Sequence, residues 1–219
     1  MVNYIGIGVY TLQEAALYGS VSPNKLFRWI FGTRIHLPVI KSQLFDEGLV
    51  SFYDLVQAKA INVARNEGIS LQKIRDAIKT AQDCYRVEFP LAQEHKLLWF
   101  EGNLHIELPS GIYQVSGRPK HQMGIKPIVE PYAKDLHFDG EGLVSMWVPF
   151  KRFGRQIILN PKRQFGQPLV GDTGYRADML AEVYTAEKSE DAVATAYNID
   201  IKDVKVAVAY MKHIKKAAA

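Results

Sequence analysis

A single cysteine, Cys84, stands in 219 residues. That excludes an intrachain disulfide framework and fits a reducing cytoplasm, and its place in a helical pattern gives Cys84 a structural reading. No apolar run approaches the length of a membrane span. The opening Met-Val-Asn-Tyr-Ile-Gly lacks a basic region followed by an apolar stretch, so no signal peptide and no membrane partner are expected. The six histidines show no paired zinc-type spacing. Gly-rich phosphate loops, a Ser elbow and a Cys/His pair are also missing. Asp135, His137, Asp139 and Glu141 form a short acidic cluster, but Asp139 and Gly140 read more simply as a turn. These absences leave no expected catalytic residue, metal site or cofactor. Charge of either sign is not extreme: 27 basic against 23 acidic residues give a net +4. A mildly basic balance permits a nucleic-acid partner without requiring one.

What is present is most informative between Thr11 and Ile30. Thr11 is a good N-cap, and Glu14 completes a capping box. Ala15 and Ala16 are small enough for two helices to cross closely, and Gly19 and Ser20 end the first helix. Ser22 then caps a second helix with Pro23 in its first turn, where the missing N–H costs nothing. Val21 can staple onto Leu26. Ala15, Val21, Leu26 and Trp29 face inward, which leaves Asn24, Lys25 and Arg28 on the outer face. A helix-turn-helix with this outer face suits DNA, with donors for phosphates and base edges. Only one acid, Glu14, accompanies Lys25, Arg28 and Arg34 in this region. The competing reading is an ordinary helical hairpin with a polar face. After Ile30, short apolar pieces around Ile35, Val39 and Ile40 suggest a wing-like hairpin or a plain connector, from which Arg34 would reach the phosphate backbone.

Ser51 caps a helix running to about Glu67, with Val50 stapled to Leu55 and Gly68 ending it. Ser70 caps another that runs to about Tyr85. From Leu97 to Leu159 the pattern becomes strands and Gly-containing turns, predicting one small, mostly antiparallel sheet. Trp99, Phe100, Tyr113, Phe138 and Trp147 could line a pocket there, although core packing explains them more simply. Lys151, Arg152, Arg155, Lys162 and Arg163 fall in a stretch without an acid. Helical patterns return over Ala177 to Tyr184, from Ser189 to Tyr197 with Ala192, Val193 and Ala196 inward, and after Asp200 with Val204, Ala207, Val208 and Met211 inward. The last two form a second helix-turn-helix candidate, with Lys202 and Lys205 exposed for DNA or for another copy. The expected fold class is α+β. The expected parts are residues 1–92, a helix-turn-helix plus helical hairpin; 93–160, a small β-rich segment; and 161–219, a C-terminal helical module.

The front of the chain resembles the MerR-type helix-turn-helix, whose second helix often reads Val-Ser-Pro followed by an Arg and an aromatic, here Val21 to Pro23, Arg28 and Trp29. The order of segments over nearly all of the chain resembles a bacterial antitoxin family, VapB-like, that places such a unit before a module of domain-of-unknown-function family 433. Thr11, Glu14 and Ala15 match at the front. Ser51 to Leu55, Gly68 to Ser70 and Lys73 to Arg75 match the middle helices. Phe89 to Leu91, Phe165 to Pro168, and Val204, Ala207 and Tyr210 match later landmarks. Where that module often carries Gly-Thr-Arg, this chain runs from Gly171 through Asp172, Thr173, Gly174 and Tyr175 to Arg176.

The resemblance implies a type II antitoxin that binds its own operator DNA and neutralises a PIN-type ribonuclease toxin from the adjacent gene. Combined with the residues above, it gives a cytoplasmic, dimeric repressor. Its DNA-binding residues would be Thr11, Ser22, Asn24, Lys25, Arg28 and Arg34. Because PIN-type sites are acidic, the basic tail with Lys212, Lys215 and Lys216 is the candidate toxin-binding element, to be removed by deletion after Tyr210. A stand-alone MerR-like regulator with a ligand-sensing sheet is the alternative, and an adaptor that does not touch DNA is a third reading.

Overall fold

The computed structural model describes residues 6–94, 96–100, 103–108, 111–114, 126–127 and 134–218, giving the backbone path for the strands between 96 and 127. The fold is α+β. Strand β1 (Val9–Tyr10) leads into α1 (Leu12–Gly19) and α2 (Pro23–Ile30). Strand β2 (Val50–Ser51) pairs antiparallel with β1 and leads into α3 (Phe52–Asn66) and α4 (Leu71–Tyr85). Ser51 and Asp54 form a capping box at the start of α3, and Ser70 caps α4 by accepting from the Lys73 N–H. Gly68, at φ +84°, makes the turn between them. Cys84 lies near the end of α4 and is exposed, which corrects its expected structural role.

The strand region forms two sheets rather than the single one expected. In the first, β3 (Lys96–Phe100), β4 (Asn103–Leu108), β5 (Gly111–Gln114) and β6 (Lys126–Pro127) are ordered β5-β4-β3-β6. The side chains of Trp99, Phe100 and Tyr113, the loop from Gly117 to Gly124, Pro131, His95 and His121 lie outside the described residues.

The second sheet contains β7 (Leu136–Phe138), β8 (Val144–Arg152), β9 (Arg155–Leu159) and β10 (Leu169–Val170), ordered β10-β9-β8-β7. Phe153 and Gly154, both at positive φ, connect β8 to β9 in a two-residue hairpin. Because β10 pairs with β9, this sheet continues past residue 160. The buried side chains of Val144, Trp147, Ile157 and Leu159 join the same apolar core as Leu26, Leu55 and Ile61.

Three helices follow: α5 (Ala177–Glu187), α6 (Glu190–Tyr197) and α7 (Ile201–Ala218). Ser189 caps α6, and Asn198 ends it in the left-handed conformation. Val193 and Ala194 are the buried residues of α6, whereas Ala192 and Ala196 are exposed. Val193 is inward as expected, but Ala194 rather than Ala192 and Ala196 accompanies it. Helix α7 packs on α5, α6, β9 and α1, and so connects the end of the chain to its beginning. No helix among the described residues is long and apolar enough to cross a membrane.

Candidate nucleic-acid interface

The candidate interface begins with the cap of α1. The Thr11 hydroxyl accepts from the Glu14 N–H at 3.2 Å and donates to Glu14 Oε2 at 2.8 Å, while the Thr11 N–H donates to the same oxygen at 2.8 Å. Such a box supplies partners for amides that the first helical turn cannot satisfy, a contribution of about 1 kcal/mol. Thr11 is therefore committed to its own helix.

Ser20, not Gly19, takes the left-handed position that ends α1. Gly19 is the last helical residue and is buried, and a Cβ there would come within 3.3 Å of Leu55. Asn62 of α3 donates to the Ser20 carbonyl at 3.1 Å, anchoring the turn from below. In α2, Leu26, Trp29 and Ile30 are buried, and Val21 and Ala15 join them in the core. Ser22, Asn24, Lys25 and Arg28 are exposed. Ser22 makes no side-chain hydrogen bond to the helix it precedes, and the helix contains no acid. The apolar stripe thus fixes the rotation of α2, and its opposite side carries an amide, two cations and a hydroxyl.

The wing-like hairpin is absent. Residues 31–40 form a compact loop in which the Thr33 N–H donates to the His36 carbonyl at 2.8 Å, and the Thr33 hydroxyl accepts from the Ile35 and His36 amides. Gly32, at φ +74°, permits this turn, since a Cβ would meet the His36 carbonyl oxygen at 2.8 Å. Pro38 has no N–H for a ladder, and the Val39 and Ile40 amides instead donate to the Trp29 carbonyl at the end of α2. Arg34 is exposed on this loop.

Behind these helices lies a polar network that sequence reasoning missed. Tyr18 donates to Gln167 Oε1 at 2.9 Å, and Gln167 Nε2 donates to Glu14 Oε1 at 3.2 Å. Tyr10 donates to the Gly166 carbonyl at 2.7 Å. Burial, and then the neighbouring Glu14 charge, pushes the Tyr18 phenol well above its ordinary value, so it stays a donor. The residues that cap α1 are therefore bonded to the segment before β10.

The other basic candidates divide into paired and free. Lys151 pairs with Asp135, and Arg163 pairs with Asp172. Arg155 contacts Asp203 at 2.8 Å and Asp200 at 3.0 Å. The acid-free stretch in sequence is thus largely neutralised by acids from elsewhere. Lys205 is half-buried and lies 3.5 Å from Glu190, which corrects its expected exposure, whereas Lys202 is exposed. Lys212, Lys215 and Lys216 are exposed on α7. Asp139 Oδ1 accepts from the Glu141 and Leu143 amides, consistent with a turn.

Three comparisons place this geometry among known proteins. A family model described as "Protein of unknown function (DUF433)" matches residues 157–211, from β9 into α7. The chain is 26% identical over 215 residues to the Mycobacterium tuberculosis (strain ATCC 25618 / H37Rv) protein named "Putative antitoxin VapB45", covering 88% of this chain and 89% of that protein. The X-ray crystal structure of Rv2018 from Mycobacterium tuberculosis has a TM-score of 0.65 to it at 21% identity, covering 93% of this chain and 99% of that chain. This chain therefore shares the fold of that structure, is similar over most of its length to the protein named for an antitoxin, and carries the DUF433 match in its C-terminal part.

Proposed function

We propose that this protein is a type II antitoxin that represses its own operon through α2 and neutralises a PIN-type ribonuclease. The observation that carries the DNA-binding part is the acid-free outer face of α2 on a rigid buried stripe. The antitoxin part is supported by the likeness along most of the chain to a protein of that name.

In this reading α2 enters the major groove. Asn24, Lys25 and Arg28 contact base edges, and Ser22 and Arg34 hold phosphates. Thr11 acts by fixing the start of α1. A homodimer places two such helices on two half-sites. Lys202 offers a further contact to DNA or to the second copy. On α7, Lys212, Lys215 and Lys216 supply positive charge to an acidic site on the toxin.

Co-expression with the adjacent gene, affinity purification and gel filtration test the pairing. A stable complex with an acidic-site ribonuclease is expected, and a protein that elutes alone overturns it. Deletion after Tyr210 would also remove the buried Ile214, so replacing Lys212, Lys215 and Lys216 with Gln is the cleaner test of α7. Loss of ribonuclease inhibition with operator binding intact is expected. Full inhibition by that variant removes α7 from the toxin contact.

A further inference from the structure

A cavity of about 490 Å³ lies between the loop after α2 and the side of α4. Its walls are apolar, with Leu37, Val39, Phe45 and Ile78 among them. Two of these side chains remain largely in water: Leu37 is 81% exposed and Phe45 is 46% exposed. Water against such surface is unfavourable, and an apolar occupant would displace it.

The charged groups around the cavity have one sign, and Ser42 and Gln82 are its neutral polar side chains. Lys41, Arg75 and Lys79 line it, and no acidic side chain does. Lys79 is paired with Asp83 at 2.7 Å. Arg75 donates only to neutral oxygens, the Leu37 carbonyl at 3.2 Å and Gln72 Oε1 at 3.3 Å. Its Nε is buried without a hydrogen-bond partner among the described residues. Neither Arg75 nor Lys41 has a carboxylate partner among the described residues. A guanidinium held without an anion beside an apolar cavity is an incomplete arrangement, since charge-assisted bonds to a carboxylate are the strong ones available to it.

We infer that this cavity is a binding site for a small organic acid with an apolar body and a single carboxylate. The body lies against Leu37, Val39, Phe45 and Ile78, and the carboxylate meets Arg75 and Lys41. Arg75 also holds the Leu37 carbonyl, so the occupant sits against the loop that carries Arg34. The inference does not depend on the antitoxin reading.

Titration calorimetry of the full chain with octanoate, and with 1-octanol as the uncharged counterpart, tests it. Octanoate is expected to bind saturably, and 1-octanol about 10- to 100-fold more weakly, as loss of a charge-assisted bond predicts. Arg75→Gln should weaken octanoate binding in the same way. Lys41→Gln, at an exposed position that leaves the fold intact, should also weaken it. Absence of saturable binding, equal binding of acid and alcohol, or affinities unchanged in both variants would overturn the inference. It also falls if gel filtration shows an oligomer that Leu37→Glu converts to a monomer while octanoate gives no binding heat, because a second copy then covers this face.

Discussion

Tyr18, in the first helix, donates a 2.9 Å hydrogen bond to Gln167 Oε1 across 149 positions of sequence. Gln167 passes the connection to Glu14, whose other oxygen caps α1. The α1–α2 pair is thereby bonded to the segment that introduces the C-terminal helices.

Removing one member leaves the other buried and unpaired. Tyr18→Phe or Gln167→Leu should each lower stability by about 1–3 kcal/mol in denaturant unfolding. The double variant should cost less than the sum of the two, because the orphaned group disappears with its partner. Strict additivity would show that the two side chains do not interact.

Tyr210 presents the opposite case. Its hydroxyl is buried without a hydrogen-bond partner among the described residues, and burial pushes its phenol well above the ordinary value. Tyr210→Phe removes a desolvated polar group at nearly constant shape. Stability should rise by about 1 kcal/mol, read as a higher Tm. A fall in Tm would mean that the hydroxyl is satisfied in solution.

Asp54 introduces a pH dependence. Burial raises its carboxyl above the usual carboxylate value of 3.8, an effect only partly offset by bonds from Ser42 and Ser51. The folded state therefore binds this proton more tightly than the unfolded chain does. The associated stability is fully present below 3.8 and is lost as pH rises through the folded-state value. Asp54→Asn keeps an oxygen for the Ser51 amide and has no proton to lose. Its unfolding free energy should fall less between pH 4 and about pH 7 than that of the parent chain. Parallel pH profiles would exclude Asp54 as the source.

The α2 reading separates base contacts from phosphate contacts. Arg28→Ala should weaken operator binding by about 1–3 kcal/mol and relax specificity, whereas Arg34→Ala should reduce the salt slope by about 1. Mobility shifts on operator and unrelated DNA over a range of salt concentrations measure both. Unchanged affinity in both variants would move DNA binding away from this face.

Much of the architecture was legible because it is encoded locally. Thr11 with Glu14, Val21 with Leu26 and Ser70 with its helix lie within a turn of one another, so caps and staples can be read without knowing the fold. The inward stripe of α2 follows from helical periodicity, and its outer face follows by exclusion. One choice left open and one misreading had local causes. The apolar pieces around Pro38 resembled strands, yet the amides of Val39 and Ile40 are taken by Trp29. In α6 the sequence is rich in alanine, so periodicity placed Val193 correctly but did not distinguish Ala192 and Ala196 from Ala194.

By itself, the sequence determined where α1 to α4 start and stop, which side of α2 is apolar, and that strand and helix segments combine in one α+β chain. The reason is that capping, turn conformation and side-chain periodicity depend on neighbours a few residues away. Only the tertiary structure decided which charges remain free. Arg155 and Arg163 lie in an acid-free stretch, but Asp203 and Asp172 reach them through space. The same holds for the pairing of β10 with β9, the bond between Tyr18 and Gln167, and the cavity over Arg75. Each depends on residues distant in sequence, whose proximity is set by packing of the common core.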